Sequence, residues 1–156
     1  MMRNLTICGV LLLIIASGCS KSDSRLHGRW QSDASLSMKW NRENAELSDE
    51  ALGVLSQRIG HLTLEYRPNG KGTLEVAAYK RLDGTNVITV QGYRHDITYK
   101  VLDIETNRVY IKLKGPSVDC FNYVNFVSPD IYWVDDMVEG GSPREYFRKV
   151  NEQDAK

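Results

Sequence analysis

The sequence predicts a mainly β protein in which about eight short antiparallel strands follow one another as a meander and close into a barrel. Three observations predict this fold. After Gly60, apolar and polar residues alternate with a period of two. Turn residues such as Pro68-Asn69-Gly70 separate the alternating runs. One helical segment, at about 34–60, follows the first strand. A meander avoids exposed strand edges by closing on itself, so we expect a barrel.

The first strand candidate is residues 26–31, and a helical insert follows it. The second half of the insert has clear helix signals, because Ser48 precedes the acidic pair Asp49-Glu50 and Gly60 follows the last turn. The first half, around Leu36 and Trp40, is amphipathic but has weaker signals. We therefore expect two helical stretches between the first and second strands.

The alternation after the insert predicts the remaining strands. A hairpin is expected first, with a Pro68 to Gly72 turn between its strands. The strand candidates are residues 62–66, 74–78, 87–91, 97–101, 109–113, 120–127, 131–134 and 144–150. Residues 26–150 are thus predicted to form one domain, and residues 151–156 a polar tail.

The first 18 residues have the layout of an export signal. Arg3 gives a basic start, residues 4–20 carry no charge, and residues 11–15 form a short apolar centre. The apolar run is short for a transmembrane helix, which needs roughly 20 residues. Ala16-Ser17-Gly18-Cys19 resembles the lipobox of bacterial lipoproteins, with Ala16 in place of the usual leucine. The alternative is an ordinary secretory signal that leaves Cys19 as a free thiol.

The lipobox resemblance implies a lipid modification and a location in the cell envelope. It implies that Cys19 carries acyl chains and becomes the first residue of the mature protein. Each buried methylene contributes about 0.8 kcal/mol, so several chains anchor a protein on a membrane. Ser20 after the cysteine is similar to an outer-membrane sorting signal, which implies a protein facing the periplasm. We expect residues 19–25 to be a lipidated end and polar tether.

Composition argues against a nucleic-acid-binding protein and against a fold that depends on disulfides. Removing residues 1–18 from the 156 leaves 138, a length that suits one domain. With Arg3 removed, 19 basic and 20 acidic residues remain, so no nucleic-acid partner is indicated. If Cys8 leaves with the signal and Cys19 is lipidated, Cys120 is alone and no internal disulfide is expected. We interpret Cys120 as a small buried side chain.

No motif for catalysis or metal binding is recognisable. His27, His61 and His95 are scattered and form no close ligand pair. Asp135-Asp136 and Glu139 offer oxygen ligands, but their spacing matches no calcium loop and favours a solvated hairpin tip. Phosphate-binding loops and nucleophile elbows are missing from the sequence. We therefore predict no enzyme activity, no metal and no cofactor.

Gly28-Arg29-Trp30 resembles the Gly-x-Trp motif in the first strand of lipocalin-type or calycin-type barrels. The resemblance implies that a basic residue of the last strand, Arg148 or alternatively Arg144, packs over the Trp30 ring. Residues 30–33 and 144–147 are also similar to small bacterial lipocalin-like lipoproteins, which implies a fold and no activity. Two features depart from the family. The helical segment precedes most of the barrel, and the other loop motifs are missing.

Two functional hypotheses remain open. An eight-stranded barrel either fills itself with side chains or holds one small ligand. In the first hypothesis the protein binds a small apolar or amphipathic ligand, through Tyr66, Tyr99, Phe126 and Trp133. In the second it binds an envelope protein, as an immunity partner, inhibitor or accessory factor. That surface would use exposed aromatic residues or the loop at 135–143; the aromatic candidates are Trp40, Tyr79, Tyr110 and Tyr132. An open apolar cavity favours the first, and a filled barrel with an exposed aromatic patch favours the second.

Overall fold

Eight antiparallel strands form a closed barrel in the computed structural model, which describes residues 21–135 and 142–151. The predicted fold class, an eight-stranded meander with helices after the first strand, is confirmed. Around the barrel the strands run β1-β10-β9-β8-β7-β6-β3-β2. They are β1 Gly28–Ser32, β2 Leu62–Tyr66, β3 Lys71–Val76, β6 Tyr93–Ile104, β7 Arg108–Gly115, β8 Val118–Ser128, β9 Ile131–Asp135 and β10 Arg144–Val150.

The insert after β1 forms two helices, α1 (Ala34–Asn44) and α2 (Asp49–Arg58). Each has a side-chain cap at its N-terminus, and for α2 this cap is the Ser48 that the sequence indicates. The Asp33 carboxylate accepts a hydrogen bond from Leu36 N–H at 2.9 Å, and the Ser48 hydroxyl accepts one from Ala51 N–H at 3.2 Å. These side chains satisfy backbone donors that have no partner inside the helix.

The strand at 87–91 differs from the expected meander. Tyr79–Asp83 (β4) and Asn86–Val90 (β5) pair only with each other, outside the barrel, while β3 pairs directly with β6. Residues 80–87 are all exposed, so this hairpin buries little apolar surface. Alternation identified one of its strands correctly, but alternation does not specify which strand is its partner.

Helix α1 completes an edge of the barrel. β1 ends at Ser32, opposite Phe147, whereas β10 begins three residues earlier, at Arg144. Two buried side chains of α1 take over the hydrogen bonds that β1 does not supply. Asn41 accepts from Arg144 N–H at 2.9 Å and donates to Arg144 C=O at 2.8 Å, and the Ser37 hydroxyl accepts from Tyr146 N–H at 2.8 Å. Asp33 N–H also donates to Tyr146 C=O at 2.8 Å, so the N–H and C=O groups of Arg144 and Tyr146 all have partners.

The residues just before β1 cover one end of the barrel, which we call the closed end. Residues 24–26 form a 3₁₀ turn, and Leu26 is fully buried in the core. Arg25 donates to the carbonyls of Glu105 and Thr106 in the β6–β7 turn, at 3.0 and 2.6 Å. Within the segment expected to be a tether, Lys21 and Arg25 contact the barrel, because their charged groups bind the carbonyls and the carboxylate at the end of β6. Neither described helix is long and apolar enough to span a bilayer.

Candidate functional site

A cavity of about 270 Å³ lies at the opposite end of the barrel, which we call the mouth. Its apolar wall comes from the strand ends, from the end of α2 and from β5. Its remaining lining is polar or aromatic. The apolar lining residues are Ile59, Leu62, Leu74, Val76, Val90 and Val118, and the others are Arg58, His61, Tyr79, Tyr93, Ser117 and Glu145.

Helix α2 and the β4–β5 hairpin cover the mouth from outside. The two are joined by a hydrogen bond in which Leu82 N–H donates to Gln57 Oε1 at 2.5 Å. The His61 ring stacks on Tyr79, with 4.1 Å between centroids and 6° between planes. The cover depends on two elements that are separate in sequence, so its residues could not be assigned to one site from the sequence.

Glu145 is the acidic residue of the mouth. It lies on β10 opposite Val134, on the inward-facing side of the strand. The Ser32 hydroxyl donates a hydrogen bond to Oε1 of Glu145 and accepts one from Gly60 N–H at 2.9 Å. Ser32 and the start of the β2 segment therefore hold this carboxylate at the cavity wall.

Below the mouth, aromatic rings fill the barrel. Trp30 and Tyr132 have centroids 4.6 Å apart, and Tyr132 stacks on Phe147 at 5.0 Å. All three are buried. The buried core consists of Leu26, Trp30, Leu64, Tyr66, Leu74, Ile97, Tyr99, Val101, Val109, Ile111, Leu113, Val124, Tyr132 and Phe147. Ligand space is thus found at the mouth and not along the barrel axis.

One hydroxyl inside this core lacks a partner. The Tyr132 oxygen is buried and forms no hydrogen bond. Burial first, and then the neighbouring Tyr66 phenol and the Glu145 carboxylate, raise the pKa of Tyr132 well above its ordinary value. Tyr66 is thus close enough to influence Tyr132, although the two hydroxyls do not meet the geometry of a hydrogen bond. A buried hydroxyl without a partner costs stability.

Three of the four predicted ligand residues belong to the filled interior. Tyr66 and Tyr99 meet edge to face at 5.1 Å, and the Tyr99 hydroxyl donates to Arg67 C=O at 2.6 Å. Phe126 packs near Trp30, with the Arg25 guanidinium 5.0 Å from its ring. None of the three lines the mouth cavity.

The fourth, Trp133, lies on the outside of β9. The Arg144 guanidinium sits 3.6 Å from its ring centre and 4.1 Å from that of Trp40. Tyr132, which the sequence suggested as a surface residue, points into the core instead. The run Ile131 to Val134 is apolar throughout, and a register shift in β8 between Phe126 and Ser128 precedes it. The sequence therefore gave no reliable sign of which residues face inward.

The basic residue over Trp30 is Lys149, not Arg148. Its Nζ lies 5.2 Å from the Trp30 ring centre, while Arg148 forms an outside ion pair with Asp33 at 2.9 Å. Gly28 makes room for Lys149, since a Cβ at this position would stand 2.9 Å from Lys149 Cε, and its φ of +123° also favours glycine. The residue predicted from the motif, Arg148, is the neighbour of the residue observed. Positions 145, 147 and 149 of β10 face inward, so position 148 faces outward.

A cluster of aromatic side chains lies outside the barrel on β7 and β8. Tyr110 stacks on Tyr123 at 4.5 Å and on Phe121 at 6.0 Å. Arg108 lies 4.8 Å from the Tyr123 ring centre, and Lys112 lies 4.9 Å from that of Phe121. Phe121 is 53% exposed and Tyr123 is 43% exposed. We call these five residues the aromatic face.

Other candidate chemistry finds no support in the described part of the chain. Within residues 21–135 and 142–151, no three His, Cys, Asp or Glu side chains are grouped as metal ligands. Burial raises the pKa of the Cys120 thiol, so this residue is not activated as a nucleophile. Cys19, Asp136 and Glu139 lie outside the described residues.

The mouth cavity and the aromatic face are thus two places where the described residues offer binding surface. Both are built from residues far apart in the chain. In comparisons with protein families, curated proteins and solved structures, the chain matched none.

Proposed function

We propose that this chain is a lipid-anchored envelope protein that binds one small amphipathic molecule at the mouth of its barrel. The mouth cavity carries the proposal, because concave apolar sites with a few polar groups are typical of small-molecule binding. Its 270 Å³ is slightly below the usual volume of ligand pockets, which begins at about 300 Å³, so the ligand must be small. The filled core below it limits the ligand further.

The lining favours a molecule with a short apolar tail and a polar head. Leu62, Val76 and Val118 offer an apolar contact for the tail. Arg58, His61 and Glu145 offer groups that hydrogen-bond or carry charge. The lipobox-like run that ends at Cys19 supports the lipid anchor.

Thermal unfolding with octanoate, octylamine and octanol tests the proposal. A ligand that binds only the folded state raises the melting temperature with concentration. We expect at least one of these probes, which share a tail and differ in head group, to give a saturable rise. Val76→Phe should abolish the rise by filling the cavity, and Val87→Phe on the exposed hairpin should retain it. No saturable rise with any probe would contradict the proposal.

A second candidate function is binding of an envelope protein beside the mouth. Leu82 and Val87 face each other across the hairpin and are 59% and 65% exposed, and Val54 on α2 is 53% exposed. Exposed apolar groups that lie together are typical of protein interfaces. Leu82→Ser with Val87→Ser should then lose a crosslinked envelope partner that the native chain captures, while keeping the probe response. An unchanged crosslinking pattern would argue against it.

A further inference from the structure

The N-terminal segment of the described chain is fixed to the barrel. The Lys21 ammonium donates to Leu102 C=O at 3.2 Å and to Asp103 Oδ1 at 3.3 Å. Four residues later, Arg25 binds the carbonyls of the β6–β7 turn and forms an ion pair with Asp23 at 2.6 Å. The position of Lys21 therefore lies at the closed end, beside β6.

Little chain separates this point from the predicted anchor. Cys19 precedes Lys21 by two residues, and neighbouring Cα atoms are 3.8 Å apart, so the two Cα atoms lie within about 8 Å of each other. Acyl chains on Cys19 would bring the closed end to the bilayer surface. The mouth is at the other end of the strands and would open away from the membrane.

The aromatic face continues from the same corner of the barrel. Arg108 directly follows the β6–β7 turn to which Arg25 is bound, and it lies over Tyr123. Further along β8 towards the closed end, Val127 is 61% exposed. Tyrosine rings are enriched at the boundary between lipid and water, where their apolar body and polar tip both find suitable surroundings.

The charges around the aromatic face suit anionic head groups. Arg108 pairs with Glu105, and Lys112 pairs with Asp119. Lys100 and Lys114 add two exposed positive charges on the same outer surface, and neither has an ion pair within the described ranges. A basic residue near an anionic surface contributes about 1 kcal/mol to binding, or roughly a fivefold change.

We propose that the barrel stands on an anionic bilayer with its closed end and aromatic face against the lipid head groups, and with its mouth directed away. The inference rests on the lipid anchor of the proposed function and adds an orientation and a second contact. A basic patch adds its own contribution to the membrane binding that acyl chains supply. The ligand would then reach the mouth from the aqueous side.

Vesicle sedimentation tests the second contact without the lipid. Residues 19–156 carrying Cys19→Ser keep every barrel strand and both ends. We expect salt-sensitive binding to phosphatidylglycerol vesicles and little binding to phosphatidylcholine vesicles. Lys112→Glu with Lys114→Glu, and separately Phe121→Ser with Tyr123→Ser, should each weaken binding at least about tenfold. Lys80→Glu and Val87→Ser on the hairpin are the matched controls.

Three outcomes of this experiment would overturn the second contact. One is equal binding to both kinds of vesicle, and another is unchanged binding by both double variants. The third is self-association that the same substitutions remove, measured by analytical ultracentrifugation, because the face would then join two copies of the chain.

Fluorescence quenching tests the orientation in the full lipidated protein. Dyes are attached to Thr106→Cys at the closed end or to Thr85→Cys at the hairpin tip, each with Cys120→Ser, in bilayers containing quencher-labelled head groups. We expect strong quenching at position 106 and weak quenching at position 85. Equal or reversed quenching would refute the orientation. Mass spectrometry of Cys19 reports the anchor separately, and an unmodified thiol would refute the anchored orientation while leaving the probe response of the mouth intact.

Discussion

The two ends of the barrel are closed by different parts of the chain. At the closed end the covering residues are close in sequence to the strand they cover. Leu26 lies four residues before Trp30, and its C=O accepts a hydrogen bond from the Trp30 indole N–H at 2.8 Å. At the mouth the cover comes from α2 and a hairpin, which meet through one short hydrogen bond and leave a cavity. Stability is therefore expected to depend on the closed end and the core, and binding on the mouth.

Replacing Trp30 should have the largest effect. The ring is fully buried and contacts Phe126 and Tyr132. Trp30→Ala should lower the free energy of unfolding by about 3–5 kcal/mol, in a urea titration. Trp133→Ala, which removes a tryptophan from the outside of the barrel, should cost less than half as much. Equal losses would show that the interior does not dominate stability.

Asn41→Ala should separate α1 from the edge of β10. It removes two hydrogen bonds to Arg144 and leaves the part-buried N–H and C=O of that residue without partners. We expect a loss of about 2–3 kcal/mol in the free energy of unfolding. Asn44→Ala, at an exposed position of the same helix, is the control and should cost much less. A similar cost for both would mean that α1 does not depend on this contact.

Acid should weaken the closed end through Asp23. Hydrogen bonding by Arg25 holds the pKa of the Asp23 carboxyl below its ordinary value, against the opposing effect of burial. The carboxylate therefore stabilises the fold above its unfolded-state pKa of about 3.9, and this contribution is lost as the pH falls through the lower folded-state pKa.

Asp23→Asn should remove that contribution, about 2 kcal/mol at neutral pH, and flatten the acid limb of stability against pH. Thermal unfolding between pH 2 and pH 7 measures both effects. Asp83→Asn in the hairpin should behave as the native chain. An acid limb that Asp23→Asn leaves unchanged would assign the acid sensitivity to other carboxyls, such as Glu65, whose pKa is lowered by Arg67.

Removing single hydroxyls should give the smallest effects, with opposite signs. Tyr132→Phe deletes a buried oxygen that has no partner and should raise the free energy of unfolding by up to about 1 kcal/mol. Tyr99→Phe deletes a donor to Arg67 and should lower it by about 1 kcal/mol. Destabilisation by both substitutions would indicate that the Tyr132 hydroxyl is satisfied in solution.

The sequence predicted the barrel and the helices because both depend on local periodicity and capping residues. It did not identify the site, because the site depends on choices that periodicity leaves open. Within an apolar run, Trp133 faces outward and Tyr132 faces inward, the opposite of what was expected. Lys149, and not its neighbour Arg148, lies over Trp30. The mouth residues His61 and Glu145 line one cavity only because the start of β2 and the start of β10 lie at the same end of the barrel.

The direct pairing of β3 with β6 makes the β4–β5 hairpin a side branch of the barrel. The two ends of the branch meet closely, since a Cβ on Gly92 would stand 2.8 Å from Ala78 N. Chain can therefore be added at the hairpin tip, where Gly84 has open space around it, without interrupting any barrel strand. Such a position suits the insertion of an epitope or reporter domain, because every barrel strand stays the same.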